Sequence, residues 1–406
     1  MSNKIIIVGA GLSGLTLANS LKKQGIPFEI YEREASFDAR AQGWSISIHF
    51  ALEALKQCVP EKEFENFSQK VSVNQESKDG GMSFSFIHAN TGAVGMSNTS
   101  KPGTSYRVHR SRFRNWLLSQ VQEHVHWNKK VDHYQEDSNE VTVFFQDGTQ
   151  ATGSILVGAD GVMSPIARQL LGPEKFDELT NILDVRAFGV LRWATEEEWN
   201  KISKEPTHLC VLNGQQMEDD DIKHKTFNMF CSIHDIDRSR ADTPYQVFWS
   251  LSRYDPEGVI PKFEDDNTAC LELMKAWARN GFPADSPFRQ LILDTPQDTK
   301  VTPLVIRERS PTAELTAAHR VVLIGDSAHP MTMFKGEGGN HAIVDAAKLA
   351  VQLGEYYHNT KSNEKALSDY YEEMIPRGQK AVKESHDAAM MVHCNPEIMT
   401  KMFKTA

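Results

Sequence analysis

The N-terminal stretch "IIIVGAGLSGLTLANSLKKQGIPFEIYERE", residues 5–34, constrains the fold more than any other part of the chain. Residues 5–8 form an apolar, β-branched run that predicts a buried strand, and helically spaced leucines follow it. Between them, Gly9, Gly11 and Gly14 form a G-x-G-x-x-G pattern. These glycines permit a tight turn, close approach of a pyrophosphate and close packing of the helix on the strand. The stretch therefore predicts a β-α-β dinucleotide-binding unit with a pyrophosphate at the N-terminus of its first helix.

An acidic residue completes this pattern. Residues 28–31 read as a second strand, and Glu32 follows at its end, near the position expected for a ribose-binding acid. A carboxylate there accepts a hydrogen bond from a ribose 2′-hydroxyl and repels a 2′-phosphate, so NADP is disfavoured at this particular site, while FAD and NAD both remain. Ser13 and Arg33, next to these residues, are included in the candidate cofactor site.

The bulk properties exclude several classes of protein. With 406 residues, 40% hydrophobic and 24% charged, the chain has room for two domains and an ordinary globular composition. It has no run of about 18 apolar residues, and it begins directly in a strand, so neither a membrane anchor nor a signal peptide is expected. A net charge of −10 without a long basic block argues against a nucleic-acid partner. Five scattered cysteines without a C-x-x-C pair, and no metal-ligand spacing, predict a cytoplasmic protein with reduced thiols and no metal.

Two later strand ends resemble nucleotide-contacting turns. "LVGADGVMSPIAR" ends a strand at Asp160, and "VVLIGDSAHPMTMFKGEGGNHAIVDAAKLA" ends another at Asp326 before a glycine-rich loop and a helix. An aspartate after such a strand can hold a ribitol hydroxyl of a flavin, and the loop glycines let backbone N–H groups approach a ring or phosphate.

Together, the G-x-G-x-x-G, "GADG" and "GDSAHP…GEGGN" motifs make the chain resemble the class A flavoprotein monooxygenases over about residues 4–390. This family includes p-hydroxybenzoate and salicylate hydroxylases, tetracycline-inactivating monooxygenases and fungal biosynthetic enzymes. The resemblance implies FAD as the bound dinucleotide and NADPH or NADH as a donor from solvent. It also implies oxygen transfer from a flavin C4a-hydroperoxide to a small molecule.

The resemblance also implies a fold: an α/β, Rossmann-like FAD-binding domain of the three-layer ββα type, with an inserted β-sheet substrate domain and C-terminal helices. The expected FAD-binding domain is residues 1–178 with 301–350. The expected substrate domain is 179–300, and 351–406 form a helical segment with a break or kink at Pro376.

By position, Glu32 resembles the acid that binds the adenosine ribose, and Arg110 the arginine near the phosphate and ribityl portion. Asp326 resembles the ribityl-binding acid, and Asp160 the acid tied to both FAD and the nicotinamide cofactor. Further candidates are Arg40 and Gly43 in the loop beside the flavin, and Gly338, Gly339 and Asn340 around the isoalloxazine. Arg192 matches a strand arginine that is catalytic in fungal members, although the tyrosine that some relatives pair with it is missing here. The family's proline beside the reactive flavin edge is replaced by Met333, which puts the shape of the oxygen pocket in question.

The predicted function is NAD(P)H- and O2-dependent hydroxylation of an aromatic or polycyclic small molecule. Alternatives on the same cofactor are epoxidation, Baeyer–Villiger insertion, or oxidative decarboxylation or cyclisation in secondary metabolism. A non-enzymatic carrier similar to a GDP-dissociation inhibitor is a further alternative, against which the Asp326 loop argues. Neither the substrate nor the oligomeric state can be read from the sequence.

Overall fold

The structure is a computed structural model of the chain. It describes residues 4–39, 43–73, 81–203, 209–218, 222–262 and 266–395. Its strands are β1 (Ile5–Val8), β2 (Phe28–Tyr31), β3 (Ile46–Ile48), β4 (Ser83–His88), β5 (Val94–Thr99), β6 (Tyr106–Val108), β7 (Val125–His126), β8 (Val131–Glu136), β9 (Val141–Phe145), β10 (Gln150–Gly153), β11 (Ile155–Gly158), β12 (Asn181–Ile182), β13 (Val185–Ala194), β14 (Leu209–Gln215), β15 (Thr226–Ile236), β16 (Tyr245–Tyr254), β17 (Val301–Leu304), β18 (Arg307–Glu308) and β19 (Val321–Leu323).

The helices lie between these strands along the chain, and the last two elements are both helices. They are α1 (Leu12–Lys23), α2 (Leu52–Cys58), α3 (Glu61–Glu65), α4 (Phe67–Val71), α5 (Arg110–Leu118), α6 (Pro165–Leu171), α7 (Pro173–Leu179), α8 (Glu196–Ile202), α9 (Asn267–Gly281), α10 (Pro287–Leu293), α11 (Gly338–Tyr357) and α12 (Asn363–Cys394).

The chain divides into two compact units, each built from separate stretches. Unit 1 comprises Met1–Val71, Arg110–Asn181 and Arg307–His386, and unit 2 comprises Ser72–His109, Ile182–Ile306 and Asp387–Ala406. The boundaries of these units do not coincide with those of the expected domains, and residues 179–181 and 301–306 are among those assigned differently. Residues 72–109 belong to unit 2 rather than to the N-terminal unit, and the C-terminal helical segment is shared between the units.

Unit 1 contains the Rossmann-like sheet that the N-terminal motif predicts. Its five parallel strands have the order β19-β11-β1-β2-β7. All residues of β1 and β11 are buried, as expected for strands covered on both faces. Helix α1 packs with α5 and α11, while the antiparallel strands β9 and β10 contact β11 and β1. The predicted α/β fold with layers of helix, parallel sheet and antiparallel sheet is therefore confirmed.

Unit 2 contains the predicted second sheet. Its seven strands have the order β17-β13-β16-β15-β14-β4-β5, antiparallel except for the β14–β4 pair. Side chains from one face of this sheet pack with apolar residues of α8, α9 and α10, and this cluster is the core of the unit. Met229 and Trp249 lie in the cluster, whereas Phe248 points to the other face, 5.9 Å from the ring of Phe230.

Helix α12 continues through Pro376 instead of breaking there. Proline in a helix interior removes one backbone donor and favours a kink or break, so contacts on both sides must compensate for it here. Contacts of Tyr370 before the proline and of Arg377 and Ser385 after it tie α12 to unit 1. In the described part of the chain, no helix combines the length and apolar character needed to cross a membrane.

Candidate functional site

The first motif forms a strand-to-helix turn whose glycines meet different steric demands. Gly9 has φ +108°, and a Cβ there would lie 2.3 Å from the carbonyl oxygen of Ala159. A Cβ on Gly14 would lie 2.1 Å from the carbonyl oxygen of Gly9, so both positions exclude larger residues. Gly11 differs, because the nearest atom to its Cβ position is 4.0 Å away. Gly11 is also the N-cap of α1 without a side-chain cap, which leaves the helix N-terminus open to a phosphate.

Glu32 is bound to this turn by its carboxylate. Its Oε2 accepts a hydrogen bond of 2.7 Å from the N–H of Ala10, and its Oε1 accepts one of 3.0 Å from Glu34. A carboxylate has about four acceptor sites, so these two bonds leave capacity for a ribose hydroxyl. Arg33, the next residue, has a half-exposed side chain near Glu34.

Arg114 is a buried residue that holds the same turn through hydrogen bonds. Its Nε donates to the carbonyl oxygen of Ala10 at 2.7 Å, its Nη1 donates to that of Phe37 at 3.0 Å, and its Nη2 lies 3.9 Å from Glu32 Oε2. Sequence analysis missed this residue. The available indication was an arginine one helical turn after Arg110, between the apolar residues Phe113 and Trp116.

A second group of candidates surrounds the turn after β19. Asp326 Oδ1 lies 4.0 Å from the Cβ position of Gly338, and Ser13 Oγ lies 3.2 Å from that of Gly325. Burial raises the pKa of Asp326, and the charge of Arg110 opposes this effect. Arg110 Nη1 in turn lies 3.7 Å from the Cβ position of Gly43. The three sequence motifs and the loop at Gly43 are therefore assembled within unit 1.

The side chain of Asn340 makes hydrogen bonds to other residues of the protein. Its Oδ1 accepts from the N–H of His49 and its Nδ2 donates to the carbonyl oxygen of Ser47, both at 2.9 Å, and the residue is fully buried. Gly339 lies against the same segment, since its Cβ position is 3.2 Å from Ile46 Cδ1. A contact from Asn340 to FAD would therefore come from its backbone. Arg40 lies outside the described residues.

Asp160 carries the most unusual electrostatics of the candidates. Both of its carboxylate oxygens are buried, and neither makes a well-formed hydrogen bond to a described residue. Burial raises its pKa to about 6, although interactions with Ser164 and the backbone of Ile166, and the charge of Arg33, oppose the shift. A buried acid that makes only weak hydrogen bonds within the protein is suited to accept hydrogen bonds from a ligand.

Arg309 lies between the two acidic turns and was also missed from the sequence. Its guanidinium donates to the carbonyl oxygens of Val162 at 3.3 Å and Ser327 at 2.9 Å, and to Thr180 Oγ1 at 2.9 Å. The pKa of Arg309 falls to about 10 because of burial, while the charges of Asp160 and Asp326 raise it. Arg309 thus joins the loop of the second motif to the loop of the third.

Arg192 lies in unit 2, on the face of the sheet that the helices cover. It is an ion-pair partner of Glu198 at the start of α8, and its Nη1 donates to the carbonyl oxygen of Leu291 in α10 at 2.9 Å. Glu198 also completes the capping box of α8 with Thr195. These contacts support a structural role within unit 2, and the catalytic role of Arg192 stays a prediction.

Met333, which replaces the family's proline, begins a short turn of 3-10 helix that ends at Lys335. The turn is fastened to α12 on both sides. Thr332 Oγ1 donates to the carbonyl oxygen of Ser385 at 2.6 Å, and Lys335 Nζ lies 2.7 Å from Glu384 Oε2. The position of Met333 is therefore set by tertiary contacts of its neighbours.

Comparisons with known proteins identify the family of the chain. The family model for the FAD binding domain matches residues 2–249 and 298–385. The FAD-dependent monooxygenase thnD of Trichoderma harzianum is 32% identical over 94% of this chain and 92% of its own length. The FAD-dependent monooxygenase dbaB of Emericella nidulans is 31% identical over 85% of each chain. Among solved structures, Klebsiella pneumoniae HpxO complexed with FAD and uric acid has a TM-score of 0.75 at 18% identity, covering 99% of this chain and 92% of its own.

The protein therefore belongs to the FAD binding domain family, within the class A FAD-dependent monooxygenases. This membership confirms the predicted family and FAD as the cofactor. The steric and electrostatic features of unit 1 fit that cofactor: an open helix N-terminus at Gly11, acceptor capacity on Glu32 and buried acids at Asp160 and Asp326.

Proposed function

We propose that the protein hydroxylates an aromatic or polycyclic small molecule with NAD(P)H and O2 as co-substrates. The balanced reaction converts substrate C–H, O2, NAD(P)H and a proton into substrate C–OH, water and NAD(P)+. The observation that carries the proposal is the assembly, in one compact unit, of the open turn at Gly11 with the acidic turns at Asp160 and Asp326. Bound FAD would supply the redox chemistry, accepting electrons from the donor and activating O2.

The residues of unit 1 would bind and orient this cofactor. The N–H groups at the start of α1 would bind the pyrophosphate, and Glu32, whose Oε2 accepts from the N–H of Ala10, would accept from a ribose through its remaining lone pairs. Asp326 and Asp160 would accept hydrogen bonds from the ribityl chain and from the nucleotide portions. Arg309, tied to both acidic turns, would fix their separation.

The sheet of unit 2 would supply the substrate wall through the face that lies away from its helices. Besides Phe230 and Phe248, that face carries small polar side chains that are buried, including Asn228, Ser232 and Ser250. Hydroxyl and amide groups among aromatic rings suit a flat substrate with polar substituents. Similar structures support this class, since one neighbour is a 2,6-dihydroxypyridine-3-hydroxylase from Arthrobacter nicotinovorans and HpxO was solved with uric acid.

The cofactor site is tested by two matched glycine variants. Gly11→Ala places a methyl group in open space, so we expect a normally folded protein whose FAD affinity is reduced at least about tenfold by the blocked approach of the pyrophosphate. Gly14→Ala meets the Gly9 carbonyl, so we expect loss of folding stability instead. Circular dichroism and FAD fluorescence titration separate the two effects. Unchanged FAD affinity in Gly11→Ala would place the pyrophosphate elsewhere.

The reaction is tested on the wild-type holoprotein. Its visible spectrum is followed as NADPH and then NADH is added without oxygen, with and without candidate aromatic compounds. Bleaching of the flavin identifies the donor, and mass spectrometry after reaction with isotopically labelled O2 then shows incorporation of one oxygen atom. A flavin that no donor reduces, with any candidate present, contradicts the NAD(P)H assignment. A product without the label contradicts oxygen transfer.

A further inference from the structure

Asp345 has a fully buried carboxylate in the middle of helix α11 that has no role in the site described so far. It receives three short contacts from donors on two other parts of unit 1. Asp345 Oδ2 accepts from the N–H of Gly325 at 2.7 Å and lies 2.7 Å from His329 Nε2. Its Oδ1 accepts from Arg377 Nη2, on α12, at 2.8 Å.

Two of these donors flank the acidic turn. Gly325 immediately precedes Asp326, and His329 follows it by three residues, so one carboxylate oxygen holds both ends of the segment 325–329. The segment depends on this support because Gly325 is buried, so its N–H has no access to water. Without Asp345 that N–H would lose its partner, at a cost typical of buried polar groups.

The charges around Asp345 favour its ionised form. Although burial acts in the opposite direction, the charge and hydrogen bond of His329 hold the pKa of Asp345 well below its usual range. Arg377 adds a second positive charge, and it is itself oriented by Glu373 through bonds of 2.9 and 3.0 Å. His341, Asp326 and Tyr370 are further titratable groups that interact with His329 or Asp345.

We propose that Asp345 is a positioning residue for FAD, which acts by fixing the turn that carries Asp326. The inference rests on the proposed contact between Asp326 and the ribityl chain. It predicts that Asp345 affects FAD affinity and the environment of the bound flavin through the 325–329 turn, rather than only the stability of the protein.

The first test compares Asp345→Asn with Glu373→Gln. Asparagine has one acceptor oxygen and places an N–H2 group among donors, so the turn loses part of its support. We expect FAD affinity, from fluorescence titration, to fall about 10- to 100-fold, the loss typical of broken hydrogen bonds to charged groups. The visible circular dichroism of bound flavin should change as well. Glu373→Gln removes a carboxylate from the same arginine without touching the turn, and should change FAD affinity less than about threefold.

The second test separates the hydrogen bond from the charge and does not depend on Asp345→Asn folding. His329→Gln retains an N–H donor near the position of Nε2, whereas His329→Leu removes it. We expect the glutamine variant to keep FAD affinity within about threefold of wild type and the leucine variant to lose it as Asp345→Asn does. Equal losses in both variants would overturn the proposal, because the charge would then carry the effect.

A purely structural role for Asp345 predicts a different result. The urea midpoint of the apoprotein would fall, while FAD affinity and the flavin dichroism of the folded protein would match those of wild type, and the proposal would be wrong. Failure of the wild-type protein to bind FAD would instead contradict the assigned cofactor site. The two failures are therefore distinguishable.

Discussion

Arg309 shows, at the scale of one residue, how two distant turns are held at a fixed spacing. The side chain is almost completely buried, and its guanidinium stacks over the Phe176 ring with its carbon 4.3 Å from the ring centroid. Arg168 stacks over the same ring at 5.4 Å, but it is exposed and pairs with Asp177. The two arginines contact the same aromatic ring. They differ because Arg309 is buried and connects two turns, whereas Arg168 is exposed and pairs with Asp177.

This pair gives a prediction with an internal control. Arg309→Met leaves the carbonyl oxygens of Val162 and Ser327 without their donors, so we expect the free energy of unfolding to fall by about 3 kcal/mol. Arg168→Met removes a surface pair and should cost less than about 1 kcal/mol. Urea unfolding of both variants measures the difference, and equal costs would show that the ring contact, not the joined turns, accounts for the effect.

Asp160 predicts a pH dependence of the apoprotein. Its folded pKa of about 6 exceeds the ordinary value of 3.8, so between these values the folded state binds more protons than the unfolded state. Stability of the apoprotein due to this group therefore decreases as pH rises from about 4 to about 6. Asp160→Asn removes the free-energy cost of ionising a buried carboxyl group. We expect this variant to stabilise the apoprotein at pH 8 by up to about 3 kcal/mol and to have little effect at pH 4.

The measurement is urea unfolding of FAD-free protein at both pH values. Asp177→Asn, which neutralises an exposed carboxylate, is the control and should show no such gain. If the stability difference between Asp160→Asn and wild type did not depend on pH, the pKa of Asp160 would not be raised by burial.

The residues that the first motif predicts occupy positions set by local spacing. Gly9, Gly14 and Glu32 stand at fixed spacings from a strand end, so their positions follow from one short pattern. Arg114 and Arg309 donate hydrogen bonds to carbonyl groups of residues outside their own segments. The spacing of residues in the sequence does not predict such partners. The assignment of Arg192 rested on a family resemblance, which does not say that Glu198 and Leu291 are its partners.

At the scale of elements, the edge of the parallel sheet is completed by side chains of α12. Strand β19 is the outermost strand on its side, and its residue Leu323 has both backbone groups satisfied by tyrosines. Leu323 N–H donates to Tyr371 Oη at 3.0 Å, and Tyr370 Oη donates to the Leu323 carbonyl oxygen at 3.1 Å. Two adjacent hydroxyls thus take the place of a neighbouring strand and block further pairing at this point.

We expect the loss of these hydroxyls to open the sheet edge locally. Tyr371→Phe leaves a buried N–H without its acceptor and should cost about 1–2 kcal/mol, with less for Tyr370→Phe. Amide hydrogen exchange at Leu323 should accelerate in Tyr371→Phe, because its protection depends on that bond. Tyr357→Phe, on α11, is the control variant. Unchanged exchange at Leu323 would show that packing alone protects the edge.

The elements themselves were largely predictable. Buried apolar runs predicted β1, β11 and β19, and the pair Asp147-Gly148, which is typical of a hairpin turn, lies between β9 and β10. The continuity of α12 was not predictable, because Pro376 is a helix breaker by local rules and only tertiary contacts decide otherwise. The same limit applies to residues 72–109, whose poor pattern gave no indication that they join the second sheet.

At the scale of the whole molecule, the cofactor should stabilise one unit more than the other. Because the candidate FAD-binding residues lie in unit 1, FAD at 100 times its dissociation constant should add about 2.7 kcal/mol to the stability of that unit. Hydrogen exchange should show the largest added protection in β1, α1, β11 and β19. Gly11→Ala should show little added protection at the same FAD concentration, and uniform protection of both units would contradict the prediction.

Because unit 1 consists of three separate stretches of the chain, it can be completed only after the third stretch has been synthesised. The central strand β1 is translated first, but the edge strand β19, the acidic turn beside it and α11 all belong to the third stretch, Arg307–His386. A growing polypeptide that has passed Ile306 contains most of unit 2 but only two of the three pieces of unit 1. Partly formed sheets of this kind expose apolar edges until their last strand arrives. Because the third stretch of unit 1 is synthesised after most of unit 2, we expect flavin to bind only once residues Arg307–His386 have left the ribosome.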